Sequence, residues 1–208
     1  VICPSNFMEE QLKTRRELLG KTRVLHNFIP SDMKTEPADF DLGNYVIYFG
    51  RFSEEKGIHT LLKVCNQLPD ITFVFAGTGP LEEQVNQIRN IQNVGFQKGQ
   101  ALSHLIRGAK FSIIPSECYE NCPFSVMESI ACGTPVVASR IGGIPELIEE
   151  DRTGRLFSVG DEKELKKIVE ELWKDSKQIS DYSKACRERK FDTVASYSDK
   201  LVKLIEDI

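Results

Sequence analysis

The sequence predicts an α/β fold built on a doubly wound parallel sheet. Four short runs rich in aromatic and β-branched residues are apolar throughout, which is typical of parallel strands covered on both faces. These runs span residues 45–49, 71–76, 111–115 and 135–138. Helix-like stretches follow them at residues 57–68, 80–90, 101–109 and 123–132. Because strand and helix alternate along the chain, we expect helices on both faces of one sheet.

Further elements are predicted before, within and after this alternation. Ser5 is placed to cap an amphipathic helix over residues 5–20. Residues 31–43 are polar and contain proline, which is typical of a loop. Short strands are predicted at residues 23–26, 93–96 and 154–157. Extra C-terminal helices with charged, solvated faces are predicted at residues 161–175, 177–189 and 193–208.

Composition and charge exclude several classes of protein. The 208 residues are 40% hydrophobic and 28% charged, as in ordinary globular domains that bury a core. The net charge of −4 gives no reason to expect nucleic acid as a partner. No apolar run approaches the ~18 residues that a membrane-spanning helix needs. Since the chain opens on Val1 and carries no signal peptide, we expect it to be part of a longer protein.

The cysteines favour a cytoplasmic protein whose thiols are reduced. Six cysteines are present, but no CxxC pair occurs and the three histidines are scattered. A metal or redox site would normally show such pairs or clusters. Cys118 and Cys122 are four residues apart, near the site proposed below, and we interpret them as free thiols too. We therefore expect no metal ligand set.

Glycines and charged residues collect directly after the predicted strands. Open α/β sheets bind ligands in the crevice outside the carboxyl ends of their strands. Four segments lie at such ends: 50–51, 77–80, 116–122 and 139–143. The sequence therefore predicts a single ligand site at one edge of the sheet.

The segment GRFSEEKG at residues 50–57 carries two cations on one loop. Gly50 permits a tight exit from its strand. Arg51 and Lys56 facing the crevice would suit a diphosphate, because arginine bridges two oxygens and lysine acts as a point charge. The alternative is that both pair with Glu54 and Glu55 at the surface. The segment alone does not decide between these interpretations.

An anion site is also predicted at the start of the helix over residues 123–132. Pro123 fits the first helical position. The amides of Phe124, Ser125 and Val126 would then point outward without intrahelical acceptors and attract an anion. Glu128 lies five residues after Pro123, which is roughly 7.5 Å along the helix axis. That distance fits the step from a diphosphate to a ribose.

Two glutamates flank this predicted anion site. Glu128, on the helix, would accept hydrogen bonds from a ribose diol, while Glu120, on the preceding loop, would meet the hydroxyls of a sugar. The alternative is that both are ordinary surface glutamates. Two glycine segments are weaker signals: residues 142–146 open a helix and favour a structural turn, and residues 77–80 lack the GxGxxG spacing of a dinucleotide site.

Taken together, these segments closely resemble glycosyltransferase family 4, the retaining nucleotide-sugar transferases of the GT-B fold. Gly50-Arg51 with Lys56-Gly57 resembles the family's phosphate-gripping loop, and residues 76–80 resemble its second glycine turn. Glu120 and Glu128 match its E-x7-E signature. Residues 131–145, ACGTPVVASRIGGIP, are highly characteristic, and the resemblance covers nearly the whole chain.

The resemblance implies roles for individual residues. The catalytic set is Arg51, Lys56 and Glu120, with the two cations on the donor diphosphate and Glu120 on the transferred sugar. The backbone around residues 94–97 would contact the base, and Glu128 the ribose. The donor-binding residues implied are Gly50, Gly77, Gly79, Phe96, Asn121, Phe124, Ser125, Val126 and Glu128. The two cations would replace a metal, so no metal or other cofactor is expected; the nucleotide-diphosphate sugar is the substrate.

The resemblance also implies that half of an enzyme lies outside this chain. Residues 1–43 resemble the end of an N-terminal domain and its connector, residues 44–190 a Rossmann-like donor-binding domain, and residues 191–208 a tail helix. The partners implied are a nucleotide-sugar donor and the missing N-terminal domain of the same polypeptide, which would carry the acceptor site. The fragment alone would then be inactive.

The sequence departs from the family pattern at one position pair and leaves alternative functions open. Where the family commonly has phenylalanine and glycine, this chain has Cys122 and Pro123, which bears on the geometry of the phosphate-binding amides. The alternative functions are a non-catalytic nucleotide-sugar-binding module and a sugar-nucleotide epimerase of the GT-B fold. A structural flavodoxin-like domain is a third, for which the convergence of the charged residues would be accidental. Base, sugar, acceptor and membrane association are not fixed by the sequence.

Overall fold

The computed structural model describes residues 1–30 and 44–206 and confirms the α/β class with a parallel sheet. The strands are β1 Ile2–Cys3, β2 Arg23–Val24, β3 Val46–Phe49, β4 Phe73–Ala76, β5 Ile91–Asn93, β6 Phe111–Ile114, β7 Val136–Ser139 and β8 Gly154–Phe157. The helices are α1 Asn6–Lys13, α2 Ile58–Gln67, α3 Glu82–Asn86, α4 Gly99–Gly108, α5 Phe124–Ala131, α6 Ile144–Leu147, α7 Glu162–Lys174, α8 Ser176–Glu188 and α9 Val194–Glu206. Short 3-10 turns occur at Arg16–Leu18 and Glu54–Lys56.

Six strands form one sheet in the order β5-β4-β3-β6-β7-β8, and every neighbouring pair is parallel. Strand β3 is central and pairs with β4 on one side and β6 on the other, with Val46 opposite both Phe73 and Phe111. The order of strands reverses between β3 and β6. Ligand crevices of doubly wound sheets lie at this switch point, so the loops after β3 and β6 flank the expected site.

Both faces of the sheet are covered, which explains why the strands are apolar throughout. In β3, Val46 and Tyr48 pack into the cluster that contains residues of α2 and α7. Ile47 and Phe49 alternate with them and pack on the opposite face, against α4. A third apolar cluster joins α5 to β7. Because side chains alternate across a strand, four consecutive buried residues need two covering layers.

A separate two-stranded parallel sheet joins β1 to β2, which the sequence indicated only in part. Helix α1 follows β1 along the chain and precedes β2. It begins at the predicted cap, since the Ser5 hydroxyl accepts a hydrogen bond from the Met8 amide at 3.1 Å. The helix predicted over residues 5–20 is too long. It ends at Lys13 because Arg15 has an extended backbone with ψ of 112°. The predicted loop at residues 31–43 lies outside the described residues.

Two further predicted boundaries are wrong. The strand predicted at residues 93–96 is instead β5, and it ends at Asn93 because Gly95 has a left-handed φ of 68°. The helix predicted at residues 80–90 shrinks to α3. Beyond its end, the Asn90 side-chain amide donates to the carbonyl oxygens of Cys65, Leu68 and Ile71 at 2.8–3.0 Å and so joins this segment to the end of α2.

Asn90→Ala is expected to lower the free energy of unfolding by about 1–3 kcal/mol, because three carbonyls at the junction of α2 and β4 lose their shared side-chain donor. The carbonyls of Cys65 and Leu68 keep one backbone donor each. Urea denaturation measures the loss. The matched control is Asn66→Ala, at an exposed position of α2, for which a change within about 0.5 kcal/mol is expected. Equal effects at the two positions would contradict this role of Asn90.

Candidate functional site

The predicted site residues line two cavities at the carboxyl edge of the sheet. The first, called here the glycine-loop cavity, has a volume of about 460 Å³. Its lining includes Gly50, Arg51, Gly77, Gly79, Phe96, Ser125 and Glu128. The second, called the Glu120 cavity, has a volume of about 480 Å³. Its lining includes Lys56, Glu120, Asn121, Phe124 and Ser125.

Ser125, in the first turn of α5, lines both cavities. Arg51 and Lys56 come from one loop but line different cavities. Glu128 and Glu120 are divided in the same way, so each cavity has one cation and one carboxylate from the predicted set. An elongated ligand could therefore cross the start of α5 from one cavity to the other.

The start of α5 supplies free backbone donors at this crossing point. Pro123 is the N-cap, one position before the predicted first helical residue, with ψ of 126°. The first-turn amides of Phe124, Ser125 and Val126 have no acceptor one turn earlier within the helix. Val126 has a fully buried side chain and lines neither cavity, so the structure does not bring this predicted site residue to the cavity surface.

Lys56 and Glu120 form an ion pair across the Glu120 cavity. Lys56 Nζ donates to Glu120 Oε1 at 2.5 Å, and both side chains are at least two-thirds buried. This contact answers the alternative raised by the sequence, because Lys56 pairs with the predicted site glutamate and not with Glu54 or Glu55. Glu55 instead accepts from the Ser53 hydroxyl at 2.7 Å.

Arg51 is exposed and lines the glycine-loop cavity. Its backbone is held by Tyr48 of β3, whose hydroxyl donates a hydrogen bond to the Arg51 carbonyl oxygen at 2.7 Å. Burial raises the pKa of the Tyr48 phenol well above its ordinary value, and the charges of Glu120 and Glu55 raise it further. Tyr48 therefore stays neutral and remains a donor to the loop.

Glu128 is the most perturbed acid of the two cavities. Its carboxyl lies at the floor of the glycine-loop cavity, and burial raises its pKa from 4.5 to about 7. Within residues 1–30 and 44–206, no hydrogen bond or ion pair to this carboxyl is formed. A buried carboxyl with a raised pKa and no protein partner is typical of a ligand-binding group.

The glycines of the site allow loop backbones to touch one another. A Cβ on Gly77 would lie 1.9 Å from the Gly50 carbonyl oxygen, and one on Gly143 would lie 1.8 Å from that of Asn121. The Gly143 amide also donates to the Glu120 carbonyl oxygen at 2.6 Å. The structural interpretation of the turn at residues 142–143 therefore holds, because this turn supports the Glu120 loop.

Sequence reasoning missed two groups of residues that hold the site. Ser116 is buried, and its hydroxyl donates to Glu120 Oε1 at 2.9 Å. Its position just after β6 was the available signal. The second group, from residues 6–27, had no local signal because its contacts span 95 to 140 residues of sequence.

Glu146, at α6, joins this second group to the site. Its carboxylate accepts from the amides of Asn6 and Phe7 at 2.8 and 2.6 Å, and His26 Nε2 lies 3.3 Å away. Burial by itself would raise the pKa of Glu146, but these hydrogen bonds outweigh it and hold the pKa below the ordinary value. The Asn27 amide group donates to the Cys122 carbonyl oxygen at 3.0 Å, so residues 6–27 brace the Glu120 loop from outside.

In the described ranges 1–30 and 44–206, no group of three or more histidine, cysteine, aspartate or glutamate side chains could hold a metal ion. No disulfide joins any of the six cysteines, all of which lie in these ranges. Among the helices of the described residues, none is long and apolar enough to cross a membrane.

The chain as a whole resembles a known protein family. A family model described as glycosyl transferases group 1 matches residues 33–189. The sulfoquinovosyl transferase of Arabidopsis thaliana is 34% identical over 149 residues, which are 69% of this chain and 29% of that protein. A putative colanic acid biosynthesis glycosyltransferase of Escherichia coli is 27% identical over 194 residues, which are 84% of this chain and 47% of that protein. The chain thus spans less than half the length of these relatives.

Solved structures share the fold. The Anabaena protein HepE, crystallised with UDP-glucose, superposes with a TM-score of 0.87 at 23% identity, covering 100% of this chain and 64% of HepE. The sucrose-phosphate synthase of Thermosynechococcus elongatus gives the same TM-score and identity, with 57% of its chain covered. This likeness supports the six-stranded parallel fold.

The raised pKa of Glu128 predicts a stability that falls as pH rises. Between pH 4.5 and about 7 the folded state keeps a proton that the unfolded state releases, so the free energy of unfolding decreases across this window. Glu128→Gln removes that decrease, and the variant is expected to be more stable than the parent by about 1–3 kcal/mol at pH 8. Urea denaturation at a series of pH values measures the difference.

The control for this titration is Glu83→Gln, at an exposed position of α3. This control should leave the pH dependence of the parent protein unchanged. A Glu128→Gln variant whose stability followed the same pH curve as the parent would show that Glu128 does not keep its proton.

Proposed function

Because the chain belongs to the group 1 glycosyl transferases, we propose that it is the donor-binding domain of a retaining transferase of family 4. The reaction moves a sugar, of hexose type, from a nucleotide diphosphate to an acceptor hydroxyl in the synthesis of a glycan, a polysaccharide or a lipid-linked sugar. The observation that carries the proposal is that two cavities share Ser125 at the start of α5, with a cation and a carboxylate lining each.

The diphosphate of the donor lies across the first turn of α5 in this proposal. The amides of Phe124, Ser125 and Val126 face its oxygens, with the positive end of the helix dipole behind them. Arg51 approaches from the glycine-loop cavity and Lys56 from the Glu120 cavity, which suits the two ends of a diphosphate. Two cations and three amides supply the charge that a metal supplies in other transferases, so the reaction is proposed to need no metal.

The nucleoside occupies the glycine-loop cavity. Glu128, in its lining, accepts hydrogen bonds from the two ribose hydroxyls, which supply partners that the described protein residues do not. Gly77 and Gly79 line the same cavity, and the absence of a Cβ lets their loop pack against the backbone of Gly50 and Phe52. The base lies toward the loop at residues 94–97, where the ring of Phe96 is 69% exposed at the cavity mouth.

The transferred sugar occupies the Glu120 cavity, where Glu120 accepts hydrogen bonds from its hydroxyls and Asn121 lies beside it. In the transfer step the bond between the anomeric carbon and the phosphate oxygen breaks, and negative charge develops on the diphosphate. Arg51, Lys56 and the α5 amides stabilise that charge without having to reorganise, which is the usual way such sites lower a barrier.

Retention of configuration follows when the acceptor attacks from the face that the diphosphate leaves. The acceptor oxygen bonds to the anomeric carbon, and its proton passes to an oxygen of the departing phosphate. No protein nucleophile is then required. The acceptor site is proposed to lie in an N-terminal domain beyond this chain, consistent with the length of the relatives, so the 208 residues alone bind donor without transferring sugar. We place the enzyme in the cytoplasm.

The alternatives are a nucleotide-sugar-binding module without catalysis and a sugar-nucleotide epimerase of the same fold. All three share the donor site, so binding alone does not separate them. Transfer to an added acceptor by the full-length protein distinguishes the transferase from both. Change of the donor's own sugar configuration would identify the epimerase.

Calorimetric titration of the chain with UDP, GDP and ADP, with and without magnesium, tests the donor site. One nucleotide is expected to bind without magnesium, and Arg51→Ala/Lys56→Ala is expected to weaken its binding at least about 100-fold, since each cation makes a charge-assisted contact. The control Lys63→Ala removes an exposed lysine that pairs with Glu162. Nucleotide affinity that survives in the double variant would contradict the phosphate roles.

In the full-length protein, Lys56→Ala is expected to lower turnover at least about a hundredfold, because one preorganised donor to the developing charge is lost. Sugar transfer from the nucleotide sugar that binds is measured under saturating donor. Lys63→Ala again serves as the control and should keep the parent rate. A near-normal rate for Lys56→Ala would remove Lys56 from the catalytic set.

A further inference from the structure

Ser116 is a buried polar residue that connects the sheet to Glu120. It follows β6 and is 2% exposed. Its carbonyl oxygen accepts a hydrogen bond from the Ser139 hydroxyl at the end of β7, at 2.5 Å. Its own hydroxyl donates to Glu120 Oε1 at 2.9 Å. The Glu120 carboxylate is thus tied to two neighbouring strands of the sheet through one serine.

Both hydrogen bonds to the Glu120 side chain reach the same oxygen. Lys56 Nζ and the Ser116 hydroxyl both approach Oε1. From the described residues, no hydrogen bond reaches Oε2. One oxygen of the carboxylate is therefore anchored by the protein, while the other is left as an acceptor in a cavity of about 480 Å³.

The two anchors differ in how firmly they are held. The Lys56 side chain is 33% exposed and ends a flexible stem, whereas Ser116 is enclosed by the sheet. A diphosphate at the start of α5 attracts the Lys56 ammonium, which then divides its hydrogen bonds between phosphate and carboxylate. The Ser116 hydroxyl has no such competing ligand and keeps its contact.

We infer that Ser116 is a positioning residue for the donor sugar: it fixes Glu120 Oε1 so that Oε2 is presented to the sugar hydroxyls once Lys56 has engaged the diphosphate. The inference rests on the proposed function, and it adds a residue to which the comparisons assign no role. It requires that Ser116 act through Glu120 alone, and on the sugar more than on the nucleotide.

The test compares nucleotides with and without the sugar. The full 208-residue chain is titrated calorimetrically with UDP, GDP and ADP and with their glucose conjugates. Ser116→Ala is expected to weaken binding of the glucose conjugate about tenfold, because the lost bond is to a charged group. Binding of the matching diphosphate is expected to change less than about twofold, since Glu120 does not contact it.

Two controls separate positioning from a general structural effect. Ser112→Ala removes another fully buried serine hydroxyl, which lies in β6 and forms a hydrogen bond with Ser129 Oγ. Neither serine lines either cavity. This variant should match Ser116→Ala in loss of stability but keep the parent affinities. In a Glu120→Ala background, Ser116→Ala should have no further effect on the glucose conjugate, as a double-mutant cycle requires of residues that act as a unit.

The outcomes are distinct. Equal weakening of diphosphate and conjugate, no weakening of either, or a tenfold effect that persists in the Glu120→Ala background would each overturn the inference while leaving the donor site intact. Failure of the parent chain to bind any of the six compounds would overturn the proposed function and this inference with it.

Discussion

Direct contact between the backbones of neighbouring loops is the constraint on which the site depends. Gly77 touches the Gly50 carbonyl, and Gly143 touches that of Asn121, at distances that leave no room for a Cβ atom. These contacts join loops that follow different strands, so the positions of Arg51 and Glu120 are set by the sheet. Because these loops pack against one another, charged side chains from distant parts of the sequence line two cavities that share Ser125.

The carboxylates of the two cavities differ in their electrostatic surroundings. Lys56 and Glu120 neutralise each other in one, whereas Glu128 has no such partner among the described residues and its pKa rises to about 7 through burial. Glu120 is thus held in an ion pair, whereas Glu128 keeps its proton to higher pH. Burying an acid without a partner destabilises its charged form, and binding groups commonly show this trade between stability and function.

The sequence predicted the sheet well because strands buried on both faces are apolar throughout. The sequence also predicted that Arg51, Glu120 and Glu128 lie at one edge of the sheet, because parallel strands end on the same side. It misplaced the strand at residues 93–96 since Gly95 adopts a left-handed φ that composition does not reveal. It missed the contacts of Glu146 with residues 6–7, because hydrogen bonds across up to 140 residues of sequence have no local pattern. It also missed Ser116 as a partner of Glu120, although the two are only four residues apart, because spacing alone does not show which way a loop side chain turns.

The central claim is that a diphosphate lies at the start of α5 between the two cavities. The most direct measurement is a crystal structure of the chain grown with UDP in the absence of magnesium. We expect diphosphate oxygens within hydrogen-bonding distance of the amides of Phe124, Ser125 and Val126, with the ribose hydroxyls on Glu128. A nucleotide bound elsewhere on the molecule, or one whose diphosphate points away from α5, would contradict the claim.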